Sequence, residues 1–310
     1  MKYREATFAR FGLGAGVASF VRNGFTPGLR VAASAVLQPI NSYTRFPEYH
    51  FLEREIAAHI RDRSSDRAPL RILDVGSPKL FGFYLARRYP IDLRLTDISP
   101  LNIDPYRKMW AALRPRARGR ISFEIRDARR LAEPEGTYDV GYAMSVLEHI
   151  EGDAGDAAAV GEMIRVIKPG GLLIFSVPFG PIFREQAIRG VIRSVERSGG
   201  NGLYFFQRIY DSVHFENRLH RPLCGLIDRE RIRTVDRRPS LLLRGYHFFR
   251  GNLPESLMAA LGFLNPVMSL ALNRDRSGIV EPAGAVYGPI HRFGDIFADL
   301  IFAARKKTGS

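Results

Sequence analysis

The chain has 310 residues, 45% of them hydrophobic and 25% charged, the balance of a soluble globular protein with room for a sizeable core. Its formal net charge is +14, yet only six of its 46 basic residues are Lys, and no nucleic-acid motif accompanies the charge, so attraction to polyanions and anionic membrane surfaces is all it implies. The single cysteine, Cys224, excludes an intramolecular disulfide and a cysteine cluster for zinc; no metal site is expected, and a reducing, cytoplasmic setting suits the composition.

Residues 1–47 are broken by Pro27, Pro39 and Pro47 and read as an N-terminal extension to a main domain over 48–310. The uncharged run Phe11 to Val21 is too short to span a bilayer and lacks a cleavage signal. From Glu48 to Arg63 the spacing of Phe51, Leu52, Ile56 and Ile60 predicts an amphipathic helix. Leu70 to Val75 is a strand, followed by the turn Gly76-Ser77-Pro78 and a helix through Phe81, Tyr84, Leu85 and Arg88. Leu93 to Thr96 and Ile121 to Ile125 are further strands on either side of a helix over Pro105 to Leu113.

Tyr138 to Met144 is an apolar run that predicts a buried strand. In Asp153 to Ile167 the apolar residues Ala157, Val160, Met163, Ile164 and Ile167 recur at helical spacing, and Lys168-Pro169-Gly170-Gly171 is expected to stop that helix. Leu172 to Val177 then returns as a strand buried on both faces. Strand, helix, strand is a right-handed crossover, and the alternation throughout predicts an α/β fold, a Rossmann-like doubly wound and mostly parallel sheet.

Beyond Pro178 the pattern loosens, with insertions expected at about 180–230 and 247–290. A helix is predicted over Phe183 to Ser198, a strand over Tyr204 to Tyr210, a helix over Phe215 to Ile227, strands at Ile232 to Asp236 and Leu241 to Arg244, an apolar helix within Pro254 to Leu272, and a last strand over Asp295 to Ala303.

YDVGYAMSVLEHI followed by IRVIKPGGLLIFSVP resembles the fourth and fifth strands of the class I S-adenosylmethionine-dependent methyltransferases. The likeness joins an acidic residue at the strand start (Asp139), a Leu-Glu-His-Ile turn and a Lys-Pro-Gly-Gly stop. It implies the cofactor S-adenosyl-L-methionine and a set of strand-end residues. Asp74 and Gly76, in ILDVG, would face the methionine part, with Ser77 beside them where the family has further glycines. Asp97 and Ile98, in LTDIS, would take the ribose, with Asp97 23 residues beyond Asp74. Asp127 and Ala128 would hold the adenine, and Met144 and Ser145 would line the pocket. His149 is either part of the turn or, for an acceptor that must lose a proton, a general base. Tyr210, His214 and Arg218, in the aromatic stretch 203–219, either wall an acceptor pocket or serve packing.

The expected activity is methyl transfer to a small-molecule, glycan or lipid-linked acceptor by in-line displacement. No Asn/Asp-Pro-Pro-Tyr sequence follows the fourth strand, which tilts the acceptor atom from the amino groups of bases towards oxygen or carbon; nucleic acid as a partner stays open. A cofactor-binding protein without turnover is the alternative. A nicotinamide dehydrogenase requires G-x-G-x-x-G, which Gly76-Ser77-Pro78-Lys79-Leu80-Phe81-Gly82 does not supply. Ser256 to Leu272 carries no charge over 17 positions and is read as a hairpin over the site or a segment dipping into an anionic membrane surface.

Overall fold

The computed structural model describes residues 45–63, 68–113, 117–189, 203–237, 279–280 and 298–308. Helix α1 (Arg45–Asp62) precedes β1 (Leu70–Val75), α2 (Lys79–Arg88), β2 (Ile91–Asp97), α3 (Asp104–Leu113), β3 (Arg120–Ile125), β4 (Tyr138–Met144), α4 (Gly155–Val166) and β5 (Ile167–Phe179). Then come β6 (Arg184–Arg189), β7 (Leu203–Ile209), α5 (Ser212–Phe215), β8 (Ile227–Arg237), β9 (Ile279–Val280) and β10 (Ala298–Lys306).

The main sheet has the order β3-β2-β1-β4-β5-β10-β8-β9. Strands β1 to β5 pair in parallel, and β10 lies antiparallel between β5 and β8. Alternation along each strand divides the core between the two faces. Ile72, Leu93, Val140 and Ile174 face α1, α2 and α3, where Leu52, Ile56, Leu80, Phe83 and Trp110 meet them. Leu73, Ala143, Leu173 and Phe175 face the other way, against Val160, Met163 and Ile164 of α4 and Phe215 of α5. The chain winds from β1 outward to β3 and then returns to β4 on the far side of β1, so the order reverses between β1 and β4. Ligands of open α/β sheets bind at that switch point, beyond the carboxyl ends of the strands.

Three expectations need correcting. Phe183 to Ser198 does not begin as a helix: Arg184–Arg189 is β6, paired antiparallel with β7 in a separate two-stranded sheet. The strand partner lies beyond the reach of a local periodicity, and cross-strand pairing overrides helix propensity. Lys168-Pro169-Gly170-Gly171 does not sit between helix and strand but within β5, where a register shift against β4 between Tyr138 and Val140 accommodates it. The last strand, described from Ala298, runs on past Ala303 to Lys306, through the basic tail. The predicted strand Leu241 to Arg244 and the apolar segment within Pro254 to Leu272 lie outside the described residues, as does the extension before residue 45.

Candidate active site

At the end of β1 the chain turns at Gly76, whose φ is +69° and where a Cβ would come within 2.8 Å of Val146 Cγ1. A side chain is excluded on both counts. Asp74 is fully buried. Its Oδ1 accepts the Ser77 amide at 2.8 Å and its Oδ2 the Tyr142 hydroxyl at 3.0 Å, while Ser77 Oγ accepts the Met144 amide at 2.9 Å. These bonds join the turns after β1 and β4 across the switch point. Burial pushes the Asp74 carboxyl above its ordinary value, against the Lys79 ammonium and the bonds from Ser77, which pull it down. Lys79, the first residue of α2, is itself buried. Its Nζ donates to Ser77 O and Thr96 O, each at 2.8 Å, and stands 3.5 Å from Asp97 Oδ2.

Asp97 closes β2. Its Oδ1 accepts the Ser99 amide and Asn102 Nδ2, both at 3.1 Å, which fixes the carboxylate and turns Oδ2 towards Lys79. Ile98 is 52% exposed, and Leu101 and Ile125 beside the ends of β2 and β3 are 64% and 48% exposed. Three exposed large apolar side chains around one carboxylate suit a flat ring with a polar edge. Asp127, just after β3, is clamped by Arg129, which donates Nη2 to Oδ2 at 2.7 Å and Nε and its amide to Oδ1 at 3.0 and 2.9 Å. Those bonds hold its carboxyl below the ordinary value. Ala128 packs on the core beside it.

After β4, Met144 is buried and Ser145 adopts a left-handed conformation, φ 48°. Its amide donates to Ser176 Oγ at 3.0 Å, and its hydroxyl donates to Glu48 Oε1 at 3.1 Å, which also accepts Ser176 Oγ at 2.5 Å. Glu48, fully buried in the first turn of α1, thus holds the strained residue at the strand end. His149 lies in the short turn Leu147–His149. Its Nδ1 is 2.7 Å from Phe206 O of β7, and since a carbonyl only accepts, Nδ1 carries a proton; in the neutral ring the lone pair is then on Nε2, 3.7 Å from Glu148 Oε1.

The residues read as an acceptor wall divide. Tyr210 is fully buried and donates to Asp156 Oδ2 at 2.6 Å, and Arg218 grips the same carboxylate with two bonds of 2.8 Å. Both side chains turn to the first turn of α4. Burial, then Asp156, push the Tyr210 hydroxyl far above its usual value. His214 stacks on Phe183 with ring centroids 3.8 Å apart and bonds Asp211 Oδ1 at 2.7 Å. Glu216, His220 and Cys224 bring metal-ligating atoms within 4.8 Å of one another, apart from the strand ends.

The structure therefore gathers Asp74, Gly76, Ser77, Asp97, Met144 and Ser145 about the switch point, with His149 on its rim. Sequence reading missed Glu48 and Lys79. For Lys79 a signal was present: a lysine in the turn where glycines were expected.

A family model described as a methyltransferase domain matches residues 72–171, from β1 into β5. Similar solved structures include a [4+2]-cyclase, SpnF, at 18% identity over 82% of this chain and 81% of that one, with a TM-score of 0.45. A sarcosine dimethylglycine methyltransferase assigned to Galdieria sulphuraria is 13% identical over 84% and 85%, TM-score 0.47. Phosphoethanolamine N-methyltransferase 2 of Haemonchus contortus is 14% identical over 97% of this chain and 60% of that one, TM-score 0.48. At such scores these likenesses decide nothing, and the assignment rests on the family match, the strand order and the strand-end residues. Residues 72–171 thus match a methyltransferase domain, carried on a doubly wound, mostly parallel sheet.

Proposed function

We propose that the protein moves the methyl group of S-adenosyl-L-methionine to an oxygen or carbon atom of a small-molecule, glycan or lipid-linked acceptor. The observation that carries this reading is the convergence of Gly76, Asp74 and Asp97 at the switch point between β1 and β4. The residues present fit the cofactor. Gly76 lets the chain turn in the left-handed conformation against Val146 at the end of β1, and Asp97, with Oδ1 engaged by Ser99 and Asn102, keeps Oδ2 for charge-assisted bonds to ribose hydroxyls. Ile98, Leu101 and Ile125 offer apolar surface for the adenine ring, with Asp127 and the Ala128 amide at its edge.

When bound, the cofactor supplies an electrophilic methyl group on a sulfonium sulfur. The chain's part is to orient the acceptor in line with that methyl, exclude water and take up a proton. His149 is the residue we assign to the last of these. Its Nδ1 proton is engaged by Phe206 O, so Nε2 is the atom that accepts a proton leaving an acceptor hydroxyl, and the nearby Glu148 carboxylate balances the imidazolium that forms. The β6–β7 hairpin is fastened over this turn, with Arg208 donating to Ile150 O at 2.6 Å and Gly152 O at 2.9 Å, and supports the reading of an acceptor side there. The oxygen or carbon acceptor is supported by Met144-Ser145-Val146-Leu147-Glu148-His149, which offers a histidine in place of the residues that grip an exocyclic amine.

The test is incubation of the protein and methyl-labelled cofactor with small-molecule, glycan and lipid fractions of a cell extract. Label is expected in one fraction, and His149→Gln is expected to lower that transfer about a hundredfold or more, the lower end of the range for a lost general base. Cofactor binding with no label in any fraction would leave a binding protein without turnover.

A further inference from the structure

Glycine-rich turns present backbone amides to the ligand, and here the three residues of the turn, Gly76, Ser77 and Pro78, offer none. The Gly76 amide donates to Thr96 O at 3.0 Å, the Ser77 amide donates to Asp74 Oδ1 at 2.8 Å, and Pro78 has no amide proton. The next residue brings a side-chain donor to the same place. Lys79 folds back so that its ammonium lies between the ends of β1 and β2, where two of its three protons go to Ser77 O and Thr96 O.

The third proton has one acceptor at hand, Asp97 Oδ2, at 3.5 Å. That is beyond the 2.7–2.9 Å of a charge-assisted bond. An oxygen atom about 2.8 Å from both Nζ and Oδ2 closes a triangle on that 3.5 Å base without strain. Such an atom must accept from nitrogen and donate to a carboxylate, which a hydroxyl does and a carbonyl or an ether does not. The Asp97 carboxylate is held for this by Ser99 and Asn102 on its other oxygen, and Asp74, the other carboxylate near the ammonium, has both oxygens bonded to Ser77 and Tyr142.

We propose that Lys79 is a ligand-contacting residue, and that its ammonium and the Asp97 carboxylate together clasp one ribose hydroxyl, which donates to Oδ2 and accepts from Nζ. The proposal rests on the cofactor reading above and adds to it a lysine that replaces the amides of the glycine turn. It makes recognition of that one hydroxyl depend on both residues.

Calorimetric titration with S-adenosylhomocysteine and with its 2′-deoxy and 3′-deoxy analogues separates the possibilities, using the full chain and its Lys79→Met variant. Lys79→Met is expected to weaken S-adenosylhomocysteine by about tenfold to a hundredfold, the range for a lost bond to a charged group. One of the two deoxy analogues is expected to bind wild type and variant equally. A loss of the same size for all three ligands would overturn the proposal and make Lys79 a prop for the turn, and so would unaltered affinity for S-adenosylhomocysteine. Should Lys79→Met fail to fold, Lys79→Arg, which keeps charge and donors at an altered reach, is expected to narrow the gap between S-adenosylhomocysteine and the same deoxy analogue; an unchanged gap overturns the proposal. Wild type that binds none of the three would overturn the cofactor reading itself.

Discussion

Asp156 shows how a buried charge allots its neighbours. Arg218 and Tyr210 bond it directly, and Arg208 stands 3.8 Å away, so the carboxylate anchors α4 to the chain that follows β7. Breaking a buried ion pair by removing one partner costs about 3–5 kcal/mol. Because Tyr210 and Arg208 remain, Arg218→Ala is expected near the low end, about 3 kcal/mol, measured by chemical denaturation. The same variant, assayed for turnover per folded molecule, should keep its cofactor affinity; a raised KM for the acceptor with no loss of stability would return Arg218 to the acceptor wall. Asp74, Gly76 and Asp97 were legible in the sequence because each sits where a strand ends, and strand ends can be read from short apolar runs. Glu48 was not, because its partners Ser145 and Ser176 lie 97 and 128 residues along the chain. Tyr210 and Arg218 were visible as polar groups in an aromatic stretch, but Asp156, which claims them, lies 54 and 62 residues earlier.

The stretch after β7 also shows what a local pattern does and does not specify. Ser212–Phe215 is α-helical, and the turn over Glu216–His220 widens to π geometry before the short turn Arg221–Leu223. The helix predicted over Phe215 to Ile227 is met as these short turns up to Leu223, with Phe215, Leu219 and Leu223 in the core, and gives way to β8 at Ile227. Apolar spacing could not announce that His220 would bridge to β8, with Nδ1 3.0 Å from Glu216 and Nε2 2.7 Å from Glu230. Burial alone would lower the His220 pKa, but the bonds to Glu216 and Glu230 outweigh it and raise it. A folded-state value above the unfolded one stabilises the protein fully below about pH 6.5, and the contribution is lost as pH rises through the raised value. The denaturation midpoint should therefore fall as pH rises above about 6.5, and fall less in His220→Gln, measured side by side. Identical slopes in the two proteins would show that the bridge adds nothing. Strand β6 was misread for the complementary reason: REQAIR carries no strong alternation, and its identity comes from pairing with β7.

Across the molecule, the order β3-β2-β1-β4-β5-β10-β8 puts five carboxyl ends in a row and reverses direction at β1 and β4, where the catalytic and cofactor residues are proposed. The amino ends of the strands have a separate purpose. There Asp139 takes Arg63, Lys168 and the Arg71 amide at 2.6 to 2.8 Å, which ties the end of α1 to β1, β4 and β5. The conspicuous acidic residue of the YDVGYAM strand thus ties elements together, while the chemistry is proposed at the strand's carboxyl end. No helix among the described residues is long and apolar enough to cross a membrane, and the uncharged run Ser256 to Leu272 lies outside them. The central claim is that the switch point binds S-adenosylmethionine through Asp97. Calorimetric titration with S-adenosylhomocysteine tests it most directly: wild type should bind, and Asp97→Ala should bind about 1.5–3 kcal/mol more weakly. No heat at millimolar ligand, or equal affinity in the two proteins, would contradict it.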